Sequence, residues 1–126
     1  LLDGSVVTWG APKCGGDSSA VQEQLKAVRH IAVRHIEGTE DAFAAILEDG
    51  SVVTWGDLAY GGDSSPVQEQ LKAVRQIEAT GDAFAAILED GSVVTWGHPE
   101  CGGDSSAVQE QLKAVRHIEG TQRAFA

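Results

Sequence analysis

Eight residues, DGSVVTWG, occur three times without a change, at Asp3–Gly10, Asp49–Gly56 and Asp90–Gly97. Repetition at this fidelity constrains a fold more than composition does. Each copy builds the same local structure and buries its apolar face against its neighbours. Trp55 to Trp96 is a step of 41 residues, and Trp9 to Trp55 a step of 46. The extra five are a tandem copy: AVRHI at Ala27–Ile31 is followed at once by AVRHI at Ala32–Ile36. With one copy removed, the first two repeats come into register. The chain therefore reads as one array over 1–126, made of repeats 1–45, 46–86 and 87–126. That overrules the ordinary expectation of a single compact domain at this length.

Each repeat has a physical reading. AFAAIL, at Ala83–Leu88, is apolar at every position, as in a strand buried between two layers. EDG then supplies a tight turn, with Gly91 tolerating positive φ. SVVTWG follows as a β-branched and aromatic strand, with Val94 and Trp96 on one face and Val93 and Thr95 on the other. The repeated octet is thus the turn and second strand of a hairpin. GGDSS is a turn cluster leading into a helix start. In the second repeat Ser65 reads as the N-cap, Pro66 as the first helical residue and Gln68 as the partner in a capping box. Val67, Leu71 and Val74 then share one helical stripe, and VRQIEAT returns as a strand. Inside a strand, the five-residue insertion of the first repeat would swap every later side chain to the wrong face. The sequence instead predicts a bulge or a helical extension, with Val21, Leu25, Val28, Ala32 and Ile36 approximating a stripe.

Nineteen acids against nine Lys and Arg give a net charge of −10. That disfavours nucleic acid and anionic membranes as partners, and favours neutral or basic proteins. The longest wholly apolar run is six residues, far short of a membrane span. The chain contains no methionine, which predicts a piece of a longer protein. Cys14 and Cys101 occupy one slot in repeats one and three, where Tyr60 stands in repeat two. Two such cysteines read as free thiols rather than a disulfide framework, which favours an intracellular setting.

The residues that carry chemistry elsewhere have structural readings here. Trp9, Trp55 and Trp96 share one strand position and read as packing between repeats rather than as an aromatic cage. The GGDSS loops lack the lysine and glycine spacing of a phosphate loop. His30, His35 and His117 share a slot that accepts Gln76, so they read as surface strand residues. His98 and Cys101 in HPEC supply two metal-ligand types, below the three or four that zinc requires. No catalytic constellation, cofactor site or metal site is expected. The repeats differ from one another chiefly at two places. The loop after WG reads APKC, DLAY and HPEC: Ala11, Pro12, Lys13 and Cys14; Asp57, Leu58, Ala59 and Tyr60; His98, Pro99, Glu100 and Cys101. The turn before AFA reads EGTED, EATGD and EGTQR, at 37–41, 78–82 and 119–123. In repeat architectures the shared positions build the scaffold and variable loops carry contacts, so the twelve loop residues are the candidate partner-binding set.

The pattern V-x-x-I-x-A-T, then AFAAIL-x-DGSVVTWG, at Val74–Gly97, resembles the regulator of chromosome condensation repeat. The resemblance covers essentially the whole chain, and the DG-x-V-x-x-WG core occurs three times. Departures are Thr80 and Ala83 where the family has Gly and His, and GGDS at Gly61–Ser64 in place of GQLG. What the resemblance implies is a mainly β chain with short helices: three tandem propeller-type blades forming a partial, open β-propeller. It implies a non-enzymatic scaffold for protein–protein interaction. The family's roles include exchange on small GTPases and substrate recognition or regulation in HECT-type ubiquitin ligases. Other expectations are an enzyme-inhibitor propeller and an unspecialised duplicated array. Open blade faces imply self-association.

Overall fold

The computed structural model describes residues 5–22 and 32–126. Two antiparallel three-stranded sheets hold its centre. The first contains β1 (Val33–Gly38), β2 (Ala42–Leu47) and β3 (Val52–Gly56); the second contains β4 (Val74–Ala79), β5 (Ala83–Leu88) and β6 (Val93–Gly97). Both run in simple sequence order. They also share their register: Phe43 faces Trp55 as Phe84 faces Trp96, and each first strand carries one irregularity, between Val33 and His35 or between Val74 and Gln76.

The octet builds the hairpin as its composition requires. Gly50 and Gly91 adopt φ of 83° and 84°, a region a side chain resists. Asp49 and Asp90 accept from the amide and hydroxyl of Ser51 and Ser92, closing each turn.

AFAAIL is buried on both faces, because each sheet lies between the other sheet and a further layer of chain. Ala44 and Ile46 face the second sheet in a central core with Leu71, Ile77, Phe84 and Trp96. Ala45 and Leu47, on the opposite face of β2, pack with Val53 and Trp55 against Val6 and Val21. Ala85, Ile87 and Val93 pack beneath Ile118, Leu112 and Phe125. Four layers result: residues 5–22, the two sheets, and a C-terminal hairpin closed by the Gly120–Phe125 bridge.

Identical bonds join successive layers. Trp55 Nε1 donates to the Gly15 carbonyl at 3.1 Å, and Trp96 Nε1 to that of Gly61 at 3.2 Å. Arg34 donates to the Val74 carbonyl at 2.9 Å and Arg75 to that of Val115 at 3.0 Å. The tryptophans therefore do pack one repeat on the next, with one exception. Trp9 is 83% exposed, because the described residues include no layer on its outer side.

In the second and third repeats the helix expected after GGDSS is a 3-10 turn, not an α-helix. In the second repeat it spans Ser65–Gln70, its N-cap is Ser64 rather than Ser65, and the capping box does not form. Gln68 instead accepts from the Ser64 hydroxyl at 2.8 Å and donates to the Val52 carbonyl at 3.1 Å. Ser64 also bonds Thr54 of β3 at 2.9 Å. This Thr–Ser–Gln relay recurs through Thr8, Ser18 and Gln22, and through Thr95, Ser105 and Gln109. It ties the turn to the strand. Val67 and Leu71 still reach the core, whereas Val74 does so from β4.

The insertion leaves no mark on the sheets, since β1 to β3 match β4 to β6 in register from Val33 on. The expected helical stripe does not continue to Ile36, which lies in β1. Leu25, Val28 and His30 lie outside the described residues.

Candidate functional site

In an antiparallel hairpin the start of the first strand lies beside the end of the second. Ala42 accordingly pairs with Gly56 and Ala83 with Gly97. The turn before AFA and the loop after WG, the two variable segments of each repeat, are thereby brought to one edge of the sheets. Backbone bonds fasten them: Asp57 donates to the Asp41 carbonyl at 2.8 Å and His98 to that of Asp82 at 2.9 Å. The hydroxyl of Thr39 donates to the Tyr60 carbonyl at 3.1 Å, and that of Thr80 to the Cys101 carbonyl at 2.8 Å.

Each loop is a short 3-10 turn, at Pro12–Cys14, Leu58–Tyr60 and Pro99–Cys101, stopped by a left-handed glycine. The cap varies with sequence. The Asp57 carboxylate accepts from the Ala59 amide, and the His98 ring nitrogen Nδ1 from the Glu100 amide. Ala11 offers no acceptor. The twelve candidate residues then divide by position. Ala11, Pro12, Lys13, Leu58, Ala59, Pro99 and Glu100 are exposed at the tips, while Cys14, Asp57, Tyr60 and His98 are half-buried. Cys101 turns inward and is buried.

Adjacent loops touch. Tyr60 stacks on His98 with ring centroids 5.9 Å apart and planes 5° from parallel. The turns also form a line: Glu40 donates its amide to Gly81, Gly81 donates to Gln122, and the Gln122 side chain donates to the Glu40 carboxylate at 3.0 Å. Glu40, Gly81 and Gln122 thus belong to the same surface as the loops. Hairpin topology was the signal in the sequence that joins them.

Both cysteines are free thiols. The Cys14 thiol donates to the Asp41 carboxylate at 2.9 Å, and that bond, with burial and the negative charge of Asp41 and Asp57, pushes its pKa above the usual thiol value. A thiol held protonated is a poor nucleophile and a poor metal ligand. The Cys101 thiol meets Asp82 at 3.6 Å. Among the described residues no three His, Cys, Asp or Glu side chains converge as a metal site would need. His35, Gln76 and His117 each reach the glutamate two residues on, at 3.2, 3.0 and 2.7 Å, which is why glutamine serves in the histidine slot. No described helix is long and apolar enough to cross a membrane. No protein-family model matches the chain, and no curated protein matches it.

Proposed function

We propose that the chain is a non-enzymatic repeat scaffold, three propeller-type blades of the regulator of chromosome condensation kind, that binds a protein partner through its variable edge. One observation carries the reading. The two segments in which the repeats differ most lie together on one edge, where Tyr60 stacks on His98 and Gln122 reaches Glu40 across two repeats. The second and third strands of the two sheets, AFAAIL and VVTWG, are the same in both. A scaffold with diversified loops on a shared frame is the arrangement repeat proteins use for recognition. The edge presents Glu40, Asp57, Asp82 and Glu100 against Lys13 and Arg123, so a partner with a basic contact surface fits it. The Cys14 thiol, held protonated by Asp41, supports a role in shaping the loop rather than in catalysis.

The test is affinity capture with the wild-type chain and with a triple variant at exposed tip positions, L58S, A59S and E100S. A control variant alters Glu69 and Lys72, an exposed ion pair away from the edge. The expected result is a partner retained by wild type and control and lost by the triple variant, with thermal unfolding unchanged. A partner retained equally by all three would overturn the reading.

A further inference from the structure

The three loops after WG share one backbone and differ in what caps it. The capping residues Ala11, Asp57 and His98 have φ of −63°, −67° and −66°, with ψ of 123°, 124° and 122°. Each leads into a 3-10 turn of three residues that a left-handed glycine stops. Over that common frame the side chain alone decides the cap. Ala11 offers none, the Asp57 carboxylate accepts from the Ala59 amide at 3.0 Å, and His98 Nδ1 accepts from the Glu100 amide at 3.2 Å. The last two respond differently to acid. A carboxyl group keeps acceptor capacity in either protonation state, whereas an imidazole nitrogen accepts only while it lacks a proton.

The same ring joins two repeats. His98 lies on the Tyr60 ring of the preceding loop, with centroids 5.9 Å apart and planes 5° from parallel. Its edge is engaged by Glu100 and its face by Tyr60, so it cannot turn without giving up both. The bond to the Glu100 amide also selects the neutral tautomer with its proton on Nε2. The elements packed on this loop bring further titratable groups. Asp57 and Tyr60 belong to the preceding loop, and Glu100 and Cys101 to the loop of His98 itself. Asp82 stands before β5, where its carbonyl accepts from the His98 amide at 2.9 Å and its carboxylate meets the Cys101 thiol at 3.6 Å.

We propose that His98 is an acid-operated latch on the variable edge, closed at neutral pH and opened when its ring takes up a proton. The regulation rests on the reading of that edge as a partner-binding surface. Histidine ordinarily changes charge between about pH 5 and 8. A proton from solvent on Nδ1 turns that nitrogen from acceptor to donor, and two N–H groups cannot bond each other. The Glu100 amide is released. The ring turns to bring its new N–H to water or a carboxylate, and so gives up the parallel stack on Tyr60. The second and third loops then part. The opening is local, because the Cys101 and Gly103 amides still donate to the His98 carbonyl, at 3.0 and 2.9 Å. The second loop keeps its carboxyl cap throughout. The imidazolium also adds positive charge to an edge that fits a basic partner, so acid weakens that contact.

Proton–nitrogen correlation spectra of the 126-residue chain without any partner, from about pH 7.5 to about pH 5.5, test the latch. The Glu100 amide resonance is expected to titrate in step with the His98 ring protons, while the Ala59 amide stays in place. Protection of the Glu100 amide against hydrogen exchange should fall about fivefold at the acid end, as loss of one cap of ordinary strength allows. Overhauser contacts between the Tyr60 and His98 rings should fade over the same range. His98→Asp places in this slot the residue that the second loop uses. It should hold the Glu100 amide protected across the range and abolish its titration. A Glu100 amide that ignores the His98 ring, or moves equally in His98→Asp, overturns the proposal. So do ring contacts that persist undiminished in acid. Because no partner is present, a flat titration leaves the partner-binding reading of the edge intact, and failure to find a partner leaves these resonances unaffected.

Discussion

Cys14 shows how one contact sets the chemistry of a side chain. Its thiol is only half-buried, yet it donates to Asp41 at 2.9 Å, and that carboxylate holds the proton on sulfur. Replacing Asp41 with Asn removes the negative charge beside the sulfur and lowers the thiol pKa. Alkylation of Cys14 at neutral pH should then accelerate about three- to tenfold, read as the rate of iodoacetamide labelling mapped by mass spectrometry. An unchanged rate would show that access, not charge, protects the thiol. The tryptophans teach a different lesson at this scale. Trp9, Trp55 and Trp96 have the same neighbours in sequence, yet Trp55 and Trp96 are buried and Trp9 is 83% exposed. What differs is the layer that each one meets.

At the scale of the element, hairpins and helical segments were legible to different degrees. The hairpin was readable because its determinants are local: a glycine at positive φ, β-branched strands, and six apolar residues that need cover on both faces. The segment after GGDSS was readable as helical, but its type was not. Its i to i+3 bonds, Val67 to Ser64 and Leu71 to Gln68, follow from side chains that reach across to β3. A segment of six residues is also too short for α-helical cooperativity to resist that pull. One glycine slot offers a measure of sheet packing. At Gly56 a Cβ would stand 2.6 Å from the Ala42 backbone and φ is +114°, so Gly56→Ala should cost about 3–4 kcal/mol from clash and backbone strain together. Gly10→Ala has the backbone strain without the clash and should cost about 1 kcal/mol. Urea unfolding of the two variants in dilute solution checks the difference, and equal costs would refute the packing argument.

For the whole molecule, stability should fall in acid. Asp49 and Asp90 in the hairpin turns, and Asp17, Asp63 and Asp104 before the 3-10 turns, are held below the usual carboxylate value of 3.8. The causes are a serine hydroxyl first and a backbone amide second. A carboxylate whose pKa is lower folded than unfolded contributes its stability above the unfolded value. That contribution fades as pH drops below 3.8 toward the folded value. The melting temperature should therefore be flat near neutrality and decline below about pH 4, and the paired variant Asp49→Asn with Asp90→Asn should decline less steeply. A wild-type profile parallel to that of the paired variant would argue against these bonds as its source.

By itself, the sequence determined the repeat unit, the hairpin, the turn glycines and the positions at which the copies differ. All of these depend on residues close together along the chain. Tertiary structure decided the rest. It joined the two variable segments into one edge, because antiparallel pairing sets Ala42 beside Gly56 and Ala83 beside Gly97. It aligned Glu40, Gly81 and Gln122 across three repeats, a contact no local pattern encodes. It also separated Trp9 from its two identical counterparts, since burial belongs to the surface that a side chain meets and not to the segment that carries it.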